Sequence, residues 1–180
     1  MLVAMAGLPG TGKSTLAARL AAELGGVVLG KDVVRLALFP PPVLDYSAEQ
    51  DDLAMYAIYA AAESILRRHP GRPVILDGRT FLKGYQVRDL FRLGNQAGEM
   101  PRVIECVCGD DVARERLGRD LAAGTHPAKN RTFALYLEAK TRAEPLTMPR
   151  LVLDTGAVPF EECFRRAVEY VRTGARKPPG

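Results

Sequence analysis

Eight residues near the amino end constrain this chain more than any others. Gly7-Leu8-Pro9-Gly10-Thr11-Gly12-Lys13-Ser14 follows five unbroken apolar residues, Leu2–Ala6, and precedes a stretch with Leu16, Leu20 and Leu24 four apart. The apolar run reads as a buried strand, and the leucine spacing as one face of a helix over 14–24. A glycine-rich turn joining such a strand to a helix start is a phosphate cradle. Its glycines permit backbone conformations closed to other residues, so successive N–H groups turn inward onto phosphate oxygens. The helix start adds the positive end of its dipole. The spacing G-x-x-x-x-G-K-[ST] brings Lys13 to the β- and γ-phosphates of a nucleotide and the Ser14 hydroxyl to Mg²⁺. Thr15 follows, within reach of an α-phosphate.

The remaining pattern alternates short apolar runs with longer helical ones, the signature of an α/β fold with a parallel sheet. Strands are expected at 27–29, Val74–Asp77, 102–108 and Leu151–Asp154. Helices are expected from 30 to 38, from a Ser47/Gln50 capping box to 68, over 84–96 and over 160–172. The chain has 180 residues, of which 47% are hydrophobic and 26% charged. That is enough to bury a core without a metal or disulfide staple, and it excludes wholesale disorder. We expect one domain over 1–175. Three cysteines make no disulfide framework and read as small buried hydrophobes. Residues 1–6 carry no basic leader or cleavage site, and no apolar run reaches the ~18 residues of a membrane helix. The expectation is a cytoplasmic protein with no membrane partner.

Two acids stand where the carboxyl ends of parallel strands share an edge. Asp77 closes the run Val74-Ile75-Leu76, which suits a metal-side carboxylate behind Ser14; it also fits a simple turn cap before Gly78. Asp32 lies just past the second strand, with Arg35 on the same helical face. A carboxylate there can take a proton from an attacking hydroxyl. The same spacing fits a solvated ion pair of little energetic weight. Arg79, next to the Asp77 strand end, is a second candidate anchor for an anionic acceptor group, or a surface arginine on a turn. The acids Asp45, Glu49, Asp51 and Asp52 suit the start of the long helix electrostatically. Tyr46 is placed to stack on a ring, while Tyr56 and Tyr59 have core or half-core spacing. His69 and His126 each sit beside a proline and receive no role.

The string from Gly7 to Thr15, then Asp32-Val33-Val34-Arg35, then Ile75-Leu76-Asp77-Gly78, resembles the small P-loop kinases, and within them the AAA-type predicted kinases (the AAA_33 group). It is similar to polynucleotide 5′-hydroxyl kinase, adenylylsulfate kinase and chloramphenicol phosphotransferase. The resemblance spans nearly the whole chain. It implies a three-layer P-loop NTPase fold with a five-stranded parallel sheet, order 2-3-1-4-5, helices on both faces and a helical lid. It implies ATP with Mg²⁺ as phosphoryl donor, bound by Gly7, Leu8, Pro9, Gly10, Thr11, Gly12, Lys13, Ser14 and Thr15. Thr155 and Gly156 would lie against the adenine, and Ser14 and Asp77 at the metal. Asp32 would be the general base, with Arg35 and Arg79 on the acceptor. Kinases of this style use a lid arginine on the transferring phosphoryl group; Arg116 and Arg119 are the candidates. The arginine that polynucleotide kinases carry before a Gly-Thr pair is Ala123 here. The expected activity is ATP-dependent transfer to a hydroxyl of a small molecule. A polynucleotide 5′-hydroxyl acceptor and a nucleotide-gated binding protein with little turnover are the alternatives.

The net charge of +4 has a location. Residues 112–142, the expected lid, hold seven basic residues (Arg114, Arg116, Arg119, Lys129, Arg131, Lys140, Arg142) against three acids, and the rest of the chain is balanced. The surplus therefore points to a phosphate chain under a lid, not to a diffuse nucleic-acid surface.

Overall fold

The computed structural model describes residues 1–124, 126, 128 and 130–174. Among them, strands β1 (Leu2–Ala6), β2 (Val27–Gly30), β3 (Val74–Asp77), β4 (Arg102–Val107) and β5 (Leu151–Asp154) form one parallel sheet in the order β2-β3-β1-β4-β5. This is the order expected. The helices are α1 (Lys13–Leu24), α2 (Lys31–Leu38), α3 (Ala48–Arg68), α4 (Gly84–Ala97), α5 (Asp110–Ala123), α6 (Phe133–Thr141) and α7 (Phe160–Thr173).

Strand β1 is fully buried along its whole length. Side chains alternate across a strand, so it feeds two cores. Leu2, Ala4 and Ala6 pack with Met55 and Ile58 of α3 and Leu90 of α4. Val3 and Met5 pack with Leu16 and Leu20 of α1 and Val171 of α7. A strand covered on both faces reads as a continuous apolar run, as this one does. The result is three layers, with the central strand running out at one edge into residues 7–12. Burial pushes the Cys106 thiol up to about 12, so it serves as a neutral core group.

Several local expectations shift. Strand β4 stops at Val107 and leaves Cys108 outside it. Helix α5 begins at Asp110, two residues before the start of the expected lid, because Asp110 and Asp111 in its first turn favour the positive helix end. Ser47 caps α3 by accepting from the Gln50 N–H at 3.2 Å. The reciprocal half of the capping box is absent: Gln50 accepts from the Asp45 N–H and donates to the Val43 carbonyl, and so ties down the preceding loop. Tyr59 is buried, but Tyr56 is exposed. Among the described residues, no helix is long and apolar enough to cross a membrane.

Helices α5 and α6 have a small core of their own. Ala113, Leu117 and Tyr136 are buried together, with Leu8 of the glycine-rich loop packed against them. The Tyr136 hydroxyl donates to Asp110 at 2.7 Å, and the Lys140 ammonium donates to the same oxygen at 2.6 Å. This pair of helices is thus seated directly on the loop.

Gly78 sets how closely β3 approaches α2. It has φ +94°, and a Cβ there would lie 2.9 Å from the Lys31 Cβ and 3.1 Å from the Lys31 nitrogen. We expect Gly78→Ala to cost about 2–4 kcal/mol from left-handed strain and overpacking, which lowers Tm by roughly 5–15 °C. Gly71→Ala, equally left-handed but with nothing within 4 Å, should lose only about 1 kcal/mol. Thermal denaturation of the two variants checks the difference.

Candidate functional site

The loop leaves the sheet at Gly7, whose Cβ would fall 2.2 Å from the Cys106 carbonyl oxygen. The Gly7 N–H donates to the Thr80 carbonyl at 3.0 Å. Gly7 therefore sets the path of the loop, and its N–H is committed to the protein. The Leu8 carbonyl accepts from the Thr11 hydroxyl at 2.8 Å and from the Lys13 ammonium at 2.6 Å. Pro9 faces a different space from Gly10 and Gly12.

Two clefts meet above this loop. The first, about 440 Å³, is floored by Gly10, Gly12, Lys13, Ser14 and Thr15. Arg116, Arg119, Thr155 and Phe160 wall it. The second, about 220 Å³, is lined by Lys31, Asp32, Arg35, Tyr46 and Asp51, with Leu135 and Ala139 of α6 opposite. Four residues border both spaces: Lys13, Ser14, His126 and Arg131.

Arg116 is held in place. Its Nη1 donates to the Thr155 hydroxyl at 2.9 Å and its Nη2 to the Thr155 carbonyl at 2.8 Å. The Thr155 hydroxyl in turn donates to the Thr11 carbonyl at 2.9 Å. Arg116 thus joins α5, the end of β5 and the loop into one wall. Arg119 also lines the first cleft; its guanidinium is exposed and pairs with Glu115 at 3.4 Å. Gly156 does not line that cleft; its N–H donates to Asp154 at 2.9 Å.

The acid–base group is a network. Arg35 pairs through Nη2 with Asp32 Oδ1 at 2.9 Å and through Nη1 with Asp51. Lys31 donates to the other Asp51 oxygen at 2.6 Å and stands 3.8 Å from Asp32 Oδ1. Both Asp32 pairs use Oδ1, so among the described residues Oδ2 is outside the ion pairing. Arg35 is buried and its guanidinium lies 4.6 Å over the Tyr46 ring. Asp51 therefore does more than complement a helix dipole: it neutralises the two cations nearest Asp32. Asp52 does the same for Arg79, at 2.5 Å. Arg79 is buried, lies over Tyr85, and lines neither cleft.

Asp77 is buried at the end of β3, and its Oδ1 has no hydrogen-bond partner among the described residues. Leaving a buried carboxylate oxygen unsatisfied is costly. An oxygen of this kind beside a phosphate loop fits a hard divalent cation that takes oxygen ligands. Ser14, at the start of α1, is the second candidate for that cation.

Of the four residues that join the two clefts, sequence reasoning singled out Lys13 and Ser14 and missed Arg131 and His126. Arg131 entered only as one of seven lid charges, and His126 only as a loop histidine. Several other cations of that count are spent locally: Arg114 on Asp111, Lys140 on Asp110 and Arg142 on Glu138, while Arg131 itself stands 3.5 Å from Asp120. Lys31 and Phe160 were also missed. Lys31 had a signal in its position, one residue before Asp32 at a strand end.

The AAA-domain family model (AAA_33) matches residues 2–145. The chain belongs to this family. No functionally curated protein matches this AAA domain. Among solved structures, it is similar to a candidate kinase of Chloroflexus aurantiacus, at TM-score 0.76 and 28% identity over 97% of this chain and 98% of that one. It is also similar to Chaetomium thermophilum Kti12 in complex with ADP-AlF3, at TM-score 0.72 and 19% identity over 98% and 100% of the two chains. The Mycobacterium tuberculosis APS kinase CysC, with AMPPNP and APS, aligns at TM-score 0.68 and 17% identity over 96% and 98%. These likenesses place the AAA domain in the P-loop kinase-like fold.

Burial pulls the Lys13 ammonium down to about 8, with the nearby Asp77 carboxylate partly opposing that fall. A polyphosphate needs the charged form, so binding above pH 8 must take up a proton. ADP affinity should fall up to about tenfold per pH unit between pH 8 and 9.5. Titration calorimetry across that range checks the slope, which Lys13→Met should flatten.

Proposed function

We propose that this AAA domain is an ATP-dependent phosphotransferase that moves the γ-phosphoryl group of ATP to a hydroxyl of a small polar molecule. The observation that supports this reading best is the pair of clefts with a common border of Lys13, Ser14, His126 and Arg131. A hydrolase or a nucleotide switch needs only the first cleft. A transferase needs a second one that opens on the same phosphoryl group, with a proton acceptor in it, and Asp32 is there.

In this reading the ATP phosphates lie on the loop, with Lys13 and Arg131 at the γ end. Arg116 keeps Thr155 and the loop in register around the nucleotide. Ser14 and Asp77 would hold Mg²⁺, whose charge would neutralise the phosphate oxygens. Helices α5 and α6, which carry the proposed lid at 112–142 of a single 1–175 domain, exclude water. In the second cleft Asp32 Oδ2 takes the acceptor proton. The acceptor oxygen bonds to phosphorus as the bond to the β–γ bridging oxygen breaks, and ADP leaves with that electron pair.

The charge balance bears on the acceptor. Lys31 and Arg35 are already matched by Asp32 and Asp51, so among the described residues the second cleft offers a polyanion no further cation beyond Lys13 and Arg131 at the border it shares with the first. Arg35 orients Asp32, and Arg79 is engaged with Asp52. Together with a volume near 220 Å³, this favours a compact, uncharged, hydroxyl-bearing acceptor over a polynucleotide end.

Labelled ATP incubated with panels of polyols, sugars and 5′-hydroxyl oligonucleotides tests the reading. Transfer should appear on a small hydroxyl compound; transfer only to oligonucleotides would overturn the acceptor class. Asp32→Asn should lower kcat by about 10²–10⁴-fold and leave ADP affinity unchanged. Full activity in that variant would move the base elsewhere.

A further inference from the structure

His126 borders both clefts, yet nothing in the reaction as derived above uses it. We propose that His126 is a catalytic residue of the phosphoryl transfer: its Nε2–H donates to the phosphoryl group as that group passes between the two clefts. The inference rests on the phosphotransferase reading and assigns this site a residue that neither the motif nor the spacing marked.

The geometry settles what the ring can offer. The Ala128 N–H donates to His126 Nδ1 at 3.0 Å. A nitrogen that accepts a hydrogen bond carries no proton in the neutral ring, so the proton is on Nε2. The ring is half-buried among Lys13, Ser14 and Arg131. Burial and the Arg131 charge both pull its pKa down, and Asp32 across the second cleft only partly offsets them. The imidazole is therefore a neutral donor. It adds a hydrogen bond without a third cation beside Lys13 and Arg131.

A neutral donor suits the step. Charge spreads over the equatorial oxygens of the phosphoryl group in transit. A fixed N–H aimed at that position stabilises the transition state more than either ground state. His126 keeps its proton throughout, and the acceptor proton goes to Asp32. The ring has no lone pair left for base catalysis, because Nδ1 is engaged and Nε2 is protonated. Among the described residues, the charged groups that share the clefts with it are Lys13 and Arg131 at the border, Arg116, Arg119 and Asp120 in the first cleft, and Lys31, Asp32, Arg35 and Asp51 in the second.

The test uses ADP, Mg²⁺ and aluminium fluoride as a mimic of the phosphoryl group in transit. The chain has only two histidines, so His69→Gln leaves His126 as the only imidazole in ¹⁵N spectra. We expect the Nε2–H tautomer, and an Nε2 signal that moves on addition of aluminium fluoride to the ADP complex. His126→Ala should keep ADP affinity within about twofold, yet weaken capture of ADP with aluminium fluoride roughly 10²-fold, the scale of losing one such donor. His126→Gln, which restores an N–H donor, should recover most of that loss.

Equal capture by His126→Ala and the unaltered protein overturns the inference, as does an Nδ1–H tautomer. A glutamine variant as poor as alanine, with the acid limb of the ATP-turnover profile abolished in both, would instead make His126 a base. If the unaltered protein binds ADP no better with aluminium fluoride than without it, the phosphotransferase reading itself falls.

Discussion

The site depends on the close approach between the glycine-rich loop and the end of β4. Gly7 sits so near the Cys106 carbonyl that no side chain fits there, and its N–H is anchored to Thr80, beyond the end of β3. The loop is therefore clamped between the strands on either side of β1. Because β1 is the central strand and is buried on both faces, the clamp is as rigid as the core. Everything that follows, from the Leu8 carbonyl that receives Lys13 to the start of α1, inherits its position from that point.

A second constraint is electrostatic. The acids at the start of α3 reach across to the cations of α2 and of the β3 exit. Asp51 holds Lys31 and Arg35, and Asp52 holds Arg79. Buried guanidinium groups are tolerated only when paired, so these carboxylates are what allow Arg35 and Arg79 to be buried at all. The consequence for chemistry is that Arg35 is turned toward Asp32 as a fixed partner. On the other side, Arg116 is likewise spent on Thr155 and the loop. The cations that face the common border of the clefts are then Lys13 and Arg131.

Local signals carried much of this into the sequence. The apolar run of β1, the glycine spacing and the acid at the end of β3 each rest on neighbouring residues, and each stands where expected. The failures have a common cause. The capping box at Ser47 was half right because the Gln50 side chain found loop partners, which no local pattern reveals. Tyr56 was misjudged because the buried face of α3 follows Met55, Ile58, Tyr59 and Ala62, and Tyr56 lies just past its edge. Arg131 and His126 were legible only as a charge and a loop residue, since their value comes from where α5 and α6 turn back over the loop.

The sequence by itself determined the strand order's central element, the phosphate loop and the acids at the sheet edge, because continuous apolar runs and glycine conformations are properties of short segments. Only the tertiary structure decided which cations are neutralised and which face the two clefts. That outcome depends on desolvation and pairing across residues twenty or more apart: Lys31 with Asp51, Arg79 with Asp52, Arg116 with Thr155. Such pairings exist only once the layers have packed and water has been removed from between them.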